Sequence, residues 1–208
     1  MLSLETVTTF LTASILLALA PGPDNLFVLA QSALHGRLPG LLVVFGLCTG
    51  LLVHTLAVVC GLAVLFQVSA AAFVTLKLFG AAYLIYLAWQ AFRASAARLE
   101  MTGQPSQTPG RLYLRGIVMN LTNPKVSIFF LAFLPQFADP SSGSVPVQLS
   151  LLGGLFIFAT VLVFGLIALL AGSLGAWLAR SARAQTWLNR LAGTVFIALA
   201  LKLATARR

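Results

Sequence analysis

Two short polar stretches interrupt very apolar parts of the chain, and both contain proline. The first is Ala20-Pro21-Gly22-Pro23-Asp24-Asn25. Because Pro21 and Pro23 have no amide hydrogen, the carbonyl oxygens of residues 17 and 19 lose their helical partners. Asp24 is the only acidic residue in the range 6–99. A proline followed by an acid suits the positive end of a helix dipole. The stretch therefore predicts a helix that breaks and restarts beside a single carboxylate.

The second stretch is Asn120-Leu121-Thr122-Asn123-Pro124-Lys125, with Ser127 just beyond it. Pro124 frees the carbonyl oxygen of Asn120. Amides, a hydroxyl and an ammonium are costly inside a membrane unless they face protein or water. A broken helix that carries an intramembrane acid predicts a transport site, and the site is expected where the two breaks meet.

The composition indicates what kind of protein positions these stretches. Of the 208 residues, 60% are hydrophobic and 8% are charged, which predicts a polytopic membrane protein. The net charge is +9, and the basic residues that produce it lie mainly between apolar runs, as expected for anchoring at an anionic membrane surface. No nucleic-acid partner is expected.

Six apolar segments are expected to cross the bilayer. Their approximate ranges are 4–34, 39–66, 70–92, 116–138, 147–178 and 187–204. Because each half has three helices, the halves must insert in opposite senses, as an inverted repeat. The predicted fold is an all-α polytopic membrane protein with helices 1 and 4 broken at Pro-Gly-Pro and Asn-Pro. Residues 1–208 form a single transmembrane domain, with repeat one at about 1–92, a polar, mobile loop at about 93–115 and repeat two at about 116–208.

Glycine stripes predict where helices approach closely. Segment two carries Gly46, Gly50 and Gly61 on one face with His54, and segment five carries Gly154, Gly165 and Gly172. We interpret His54 as a hydrogen-bonded packing residue, with a proton relay as the alternative. Tyr83 ends segment three in an aromatic group that is typical of a membrane interface, and it is a further site candidate together with Ser127.

The basic residues predict the orientation. The loops on one side carry eight of them, namely Arg37, Arg93, Arg98, Arg111, Arg115, Arg180, Arg183 and Arg190. The other side carries four, namely Lys77, Lys202, Arg207 and Arg208. The positive-inside bias therefore places the 93–115 loop in the cytoplasm and both termini outside.

Asp24 and Lys125 occupy corresponding places, each on the first turn after a break. A pseudo-twofold axis in the membrane plane would bring them together near mid-depth. Two interpretations stay open. The pair either holds the halves in register as a permanent ion pair, or Asp24 couples proton entry to the exit of a substrate.

These features resemble the LysE/RhtB family of bacterial amino-acid exporters over essentially the whole chain. The residues that carry the resemblance are Pro21-Gly22-Pro23-Asp24 with Gly36 and Gly40, the segment-two glycines, Gly80-Ala81-Ala82-Tyr83-Leu84, Asn120-xx-Asn123-Pro124-Lys125, Phe129 and Leu134-Pro135-Gln136-Phe137. The resemblance implies multi-pass insertion in the bacterial inner membrane. It also implies export of small amino acids or relatives such as homoserine, homoserine lactone, threonine or leucine. A proton or another cation would drive export, and homo-oligomerisation is left open.

Other functions fit the residues less well. Related families move cadmium or other metals, but a metal site needs several converging carboxylates or thiolates, and only Asp24 lies near mid-membrane. An intramembrane enzyme with paired aspartates would need two acids at one depth. A Ser-His dyad through His54 has no nucleophile motif to support it. A channel or passive scaffold would not need two breaks with polar residues at mid-depth. The sequence thus predicts a carrier with no cofactor and no catalytic residue.

Overall fold

The computed structural model describes residues 2–20, 22–68, 70–94 and 107–205. All regular secondary structure in those ranges is helical, which confirms the predicted all-α class. The helices are α1 (Leu4–Leu19), α2 (Pro23–His35), α3 (Arg37–Val68), α4 (Ala70–Arg93), α5 (Pro109–Thr122), α6 (Pro124–Ile128), α7 (Val145–Arg180) and α8 (Ala182–Thr205). Between α6 and α7 the chain forms a π-helical turn, Phe129–Phe133, and two 3-10 turns, Leu134–Phe137 and Pro140–Ser142.

The first helical pair bends where the prolines lie. α1 ends at Leu19, α2 begins at Pro23, and the two helices are bent by 62°. Gly22 precedes α2 in extended backbone, so Pro23 occupies the first helical position, where a missing amide hydrogen costs no hydrogen bond. Across the bend, the Asn25 side-chain amide donates to the carbonyl oxygen of Ala18 at 2.6 Å. This bond satisfies a carbonyl at the end of α1 that has no helical partner.

The second bend is centred on Asn123. α5 and the segment Pro124–Phe137 are bent by 52°. Asn123 lies between α5 and α6 with extended backbone, and its side-chain oxygen accepts the amide hydrogen of Lys125 at 3.0 Å. This is helix N-capping, and Pro124 again takes the first helical position.

Phenylalanines hold the short α6 and its π-helical turn in place. Phe129, Phe130 and Phe133 are almost completely buried. The ring centroid of Phe129 lies 5.8 Å from that of Phe10 on α1 and 5.0 Å from that of Phe156 on α7. Aromatic pairs at such distances contribute about 0.5–1.5 kcal/mol each beyond area burial. The segment after the second break is thus packed against both α1 and α7.

Glycines form the seam between α3 and α5. A Cβ on Gly46 would overlap the carbonyl oxygen of Tyr113 and lie 2.9 Å from the Cα of Gly116. A Cβ on Gly116 would in turn overlap the carbonyl oxygen of Val43. The two backbones therefore touch, as the predicted stripe on segment two requires at Gly46. Gly61, further along that stripe, has no neighbour within 4 Å of a Cβ among the described residues, so the close approach does not extend to it.

The predicted stripe on α7 is wrong in register. A Cβ on Gly154 or Gly165 would meet nothing within 4 Å in the described part of the chain, whereas one on Gly153 would overlap the side chain of Thr55 on α3. Adjacent helical residues point about 100° apart, so α3 packs against the neighbouring face of α7. The surroundings of Gly172 lie outside the described residues.

The polar connection is shorter than predicted. α5 begins at Pro109, after Thr108, so residues 109–115 of the expected loop are helical. The fixed φ of proline suits a first helical position, which explains the early start. The centre of the loop, including Arg98, lies outside the described residues, as do Arg207 and Arg208.

Several helices are long and apolar enough to cross a membrane. By length and composition these are Arg37–Gly61, Val145–Ala171 and Arg183–Thr205, and counting each bent pair as one span gives up to five within the described ranges. Segment three corresponds to α4, which packs along α8 but is not among the five. The sixth crossing and the inverted repeat stay predictions.

α1 and α2 both pack against α7, and α3 packs against α5 and α7.

Candidate substrate site at the two helix breaks

A hydrogen bond joins the two breaks. The side-chain amide of Asn123 donates to Oδ2 of Asp24 at 2.7 Å, and both residues are buried. Asn123 is free to do this because its side-chain oxygen, not its nitrogen, caps α6. The carboxylate of one half of the chain is therefore held by the amide of the other half.

Lys125 bonds to the backbone of the first break. Its ammonium Nζ donates to the carbonyl oxygen of Ala20 at 3.1 Å and to that of Leu17 at 3.3 Å. The carbonyl of Leu17 is the one that Pro21 deprives of a helical partner. The ammonium thus sits at the negative end of the α1 dipole, where a cation is favoured. Asp24 and Lys125 are neighbours in the site, but each takes its hydrogen bonds from other groups.

Asn120 and His54 form the next layer of the site. The carbonyl oxygen of Asn120 accepts the amide hydrogen of Asn123 at 3.1 Å, and Nε2 of His54 lies 3.4 Å from it. The His54 ring also lies 5.5 Å from the ring of Phe130. The Asn120 side chain rests on Gly50, where a Cβ would lie 2.7 Å from the Asn120 Cβ.

The other predicted residues differ in how close they lie. The Ser127 hydroxyl donates to the carbonyl oxygen of Asn123 at 3.2 Å, which places it beside the second break. Gly22 lies beside Lys125, since a Cβ on Gly22 would be 3.3 Å from Nζ. Tyr83 lies on α4, with its ring 5.9 Å from that of Tyr86, and within the described ranges it forms no hydrogen bond to either break. Pro21 lies outside the described residues.

A small cavity opens beside the breaks. Its lining includes Asp24, Asn120 and Lys125, together with apolar residues of four helices. The lining residues that the sequence did not predict are Leu17, Ala18, Leu47, Val126, Phe156, Thr160 and Phe164. Thr160 is the polar one among them, but a lone threonine in an apolar helix gives no signal in the sequence, since no break accompanies it.

Three oxygen atoms in this cluster are buried without a hydrogen-bond partner among the described residues. They are Oδ1 of Asp24, Oδ1 of Asn25 and Oδ1 of Asn120. Each is an acceptor, so the group that would complete the site is a donor such as an ammonium. Buried acceptors left unpaired cost about 1–3 kcal/mol each, which a bound donor would recover.

Comparison with known proteins identifies the family. The family model for LysE type translocators matches residues 15–207. The chain belongs to the LysE type translocators. It is 37% identical over 198 residues to a homoserine/homoserine lactone efflux protein of Salmonella typhimurium, covering 95% of each chain.

Two more distant relatives extend the comparison. A membrane protein of Vibrio cholerae is 33% identical, covering 95% of this chain and 96% of its own. A leucine efflux protein of Salmonella choleraesuis is 26% identical, covering 95% and 93%. No solved structure gives a significant match. As a LysE type translocator, the protein is a membrane transporter and not an enzyme.

Proposed function

We propose that this LysE type translocator exports a small neutral amino acid or a derivative of one, of the homoserine, homoserine lactone, threonine or leucine type. The observation that carries the proposal is the buried cluster at the two breaks. There the buried Asp24 accepts a hydrogen bond from the buried Asn123, and the half-buried Lys125 donates to backbone carbonyl oxygens of the first break. The functions for which the relatives are named, homoserine and homoserine lactone efflux at 37% identity and leucine efflux at 26%, support the same substrate class.

The chemistry of the cluster suits a zwitterion. Asp24, Asn25 and Asn120 offer acceptor oxygens that have no partner in the described part of the chain, and these fit an α-ammonium. Gly22 and Pro23 begin α2, which directs its positive dipole end to this region, and that end fits an α-carboxylate. A single carboxylate among amides matches the one positive charge of an ammonium better than the two of a metal dication.

Proton coupling is assigned to Asp24. Protonation would remove the charge that holds the substrate ammonium, so that proton entry and amino-acid exit use one residue. Lys125 would then hold the end of α1 through the carbonyl oxygens of Leu17 and Ala20 whether or not Asp24 is charged.

The membrane arrangement is part of the proposal. It has six crossings in two inverted three-helix repeats within one domain, in the bacterial inner membrane, with residues 93–115 cytoplasmic and both termini outside. The two bent helical pairs and the three long apolar helices support five of the crossings. α4 would supply the sixth.

Efflux from cells loaded with a panel of amino acids tests this function. Cells that express the protein should release homoserine, threonine or leucine faster than vector-only cells, and an uncoupler should abolish the difference. Labelled-substrate counterflow in proteoliposomes separates a carrier from a channel, since only a carrier exchanges. If no amino acid leaves faster although the protein is present in the membrane, the proposal is wrong.

A further inference from the structure

Polar residues line one face of α2, from Asp24 in the substrate site to His35 at the other end of the helix. At 100° per residue, Gln31 and His35 point within about 20° of Asp24, and Ser32 within about 80°. The rise from Asp24 to His35 is about 16 Å. The face therefore connects the substrate site with the turn at Gly36 between α2 and α3.

Gln31 and Ser32 are buried on this face. Their exposed fractions are 2% and 4%, and neither Oε1 of Gln31 nor Oγ of Ser32 has a hydrogen-bond partner among the described residues. The buried hydroxyl of Ser14 instead donates to its own helix, to the carbonyl oxygen of Phe10 at 2.7 Å. That of Thr55 does the same with Leu51 at 2.8 Å. The Ser32 hydroxyl makes no such bond to its own helix. It can therefore form a hydrogen bond with a group that comes from outside the helix.

Ser32 points into the seam where α2 meets α3 and α7. A Cβ on Gly40 of α3 would overlap Oγ of Ser32, and it would lie 3.3 Å from the Cβ of Ala168 on α7. The hydroxyl thus lies directly against Gly40, with Ala168 of α7 close by.

α7 covers the same distance from the cavity. Thr160 and Phe164 line the cavity beside Asp24, and Ala168 follows one turn after Phe164. Thr160 to Ala168 and Asp24 to Ser32 are both eight residues, a rise of about 12 Å. Because α2 and α7 also pack against each other, both helices extend from the cavity to the level of Ser32, and Phe164 lies between Thr160 and Ala168 along α7.

We infer that the seam between α2 and α7, defined by Gln31, Ser32, Phe164 and Ala168, is the route of the amino acid between the cavity and the α2–α3 turn. The inference rests on the proposed export function. In this structure the seam is closed, with Phe164 buried at the cavity. When α2 moves away from α7, Oε1 of Gln31 and Oγ of Ser32 accept hydrogen bonds from the passing ammonium and its water.

Cysteine accessibility tests the route without a known substrate. Cys48 and Cys60 are free thiols and are first replaced by serine. Ser32→Cys and the matched control Ser14→Cys are then treated, in inside-out vesicles, with a membrane-impermeant trimethylammonium methanethiosulfonate. A cysteine at position 32 should react at least about tenfold faster than one at position 14, because reaction requires access of reagent to the thiolate. Equal and negligible rates at the two positions overturn the route.

Transport measurements then separate a substrate route from a water-filled crevice. The amino acid identified by the efflux panel should slow labelling at position 32. Gln31→Leu should reduce export, while Ser14→Ala should export normally. Fast labelling that saturating substrate does not slow, with normal export by Gln31→Leu, overturns the substrate route. Failure of the parent to export any amino acid overturns the proposed function instead, and the labelling comparison still stands by itself.

Discussion

The side-chain amide of Asn123 donates a 2.7 Å hydrogen bond to the carboxylate of Asp24, so each helix break supplies one of the two partners. The residues are 99 positions apart in the chain and belong to different predicted repeats. A substitution at one break should therefore alter the hydrogen bonding of the other, which leads to the first prediction.

Asn123→Leu should leave the protein folded and inserted but lower export. The substitution removes the oxygen that caps α6 and the amide that donates to the Asp24 carboxylate. An unpaired buried partner costs about 1–3 kcal/mol, or about 5–150-fold in an equilibrium constant. The measurement is efflux normalised to the amount of protein in the membrane. The matched control is Asn189→Leu. The Asn189 side-chain amide donates an exposed hydrogen bond to the carbonyl oxygen of Ala94, just after α4. If the asparagine only joins neighbouring helices, a role worth under about 1 kcal/mol on average in membranes, export by Asn123→Leu will be normal.

The double substitution of Asp24→Asn with Lys125→Met should not restore uphill export. In a permanent ion pair, neutralising both partners would remove the unpaired charge left by either single change. In this structure the Lys125 ammonium instead donates to the carbonyl oxygens of Leu17 and Ala20. Lys125 therefore has a structural role that does not depend on the charge of Asp24. The assay is uncoupler-sensitive export beside counterflow in proteoliposomes. Exchange without a gradient is the expected phenotype, and recovered uphill export would refute Asp24 as the coupling residue.

Gly46→Ala should destabilise the protein, while Gly154→Ala should not. A methyl group at position 46 overlaps backbone atoms of α5, and overpacking typically costs about 1–3 kcal/mol. A methyl group at position 154 meets no described atom within 4 Å, and alanine is the better helix former by about 1 kcal/mol. Thermal unfolding in detergent should give a lower midpoint for Gly46→Ala alone. Equal midpoints for the two variants would mean that the seam tolerates a methyl group.

Thr108→Cys and Ser144→Cys should label from opposite sides of the membrane. In a background without Cys48 and Cys60, position 144, before α7, should react with an impermeant thiol reagent in intact cells. Position 108, before α5, should react only after permeabilisation. The reverse pattern would invert the proposed orientation, and labelling of both from outside would remove a crossing.

The part of the fold that depends on local covalent chemistry could be predicted. Pro23 and Pro124 cannot donate a hydrogen bond, and helices begin at both of them. The partners across the breaks could not be predicted, because they depend on the angle at which the half-helices meet. The sequence predicts that Asp24 and Lys125 come together and leaves open whether they form an ion pair. In the structure Asp24 accepts a hydrogen bond from Asn123, and Lys125 donates to backbone carbonyl oxygens.

Side-chain facing was the least predictable feature. Positions 153 and 154 are both glycine, so the sequence alone does not tell which of them contacts another helix. The position of α3 decides that Gly153 makes the contact with Thr55. Thr160 was missed for the same reason, since its place in the cavity depends on how α7 faces the breaks. The sequence likewise gives no signal for Ser32, because its surroundings depend on the position of Gly40 on the next helix.

The backbone contact between Gly46 and Gly116 has a practical consequence for watching the carrier at work. Because the two backbones touch here, we expect α3 and α5 to move together as one unit that links the two halves. Fluorescent probes attached to the ends of these two helices should keep a constant separation throughout the transport cycle. They would form an internal ruler against which the swing of α2 from α7 could be read in single molecules.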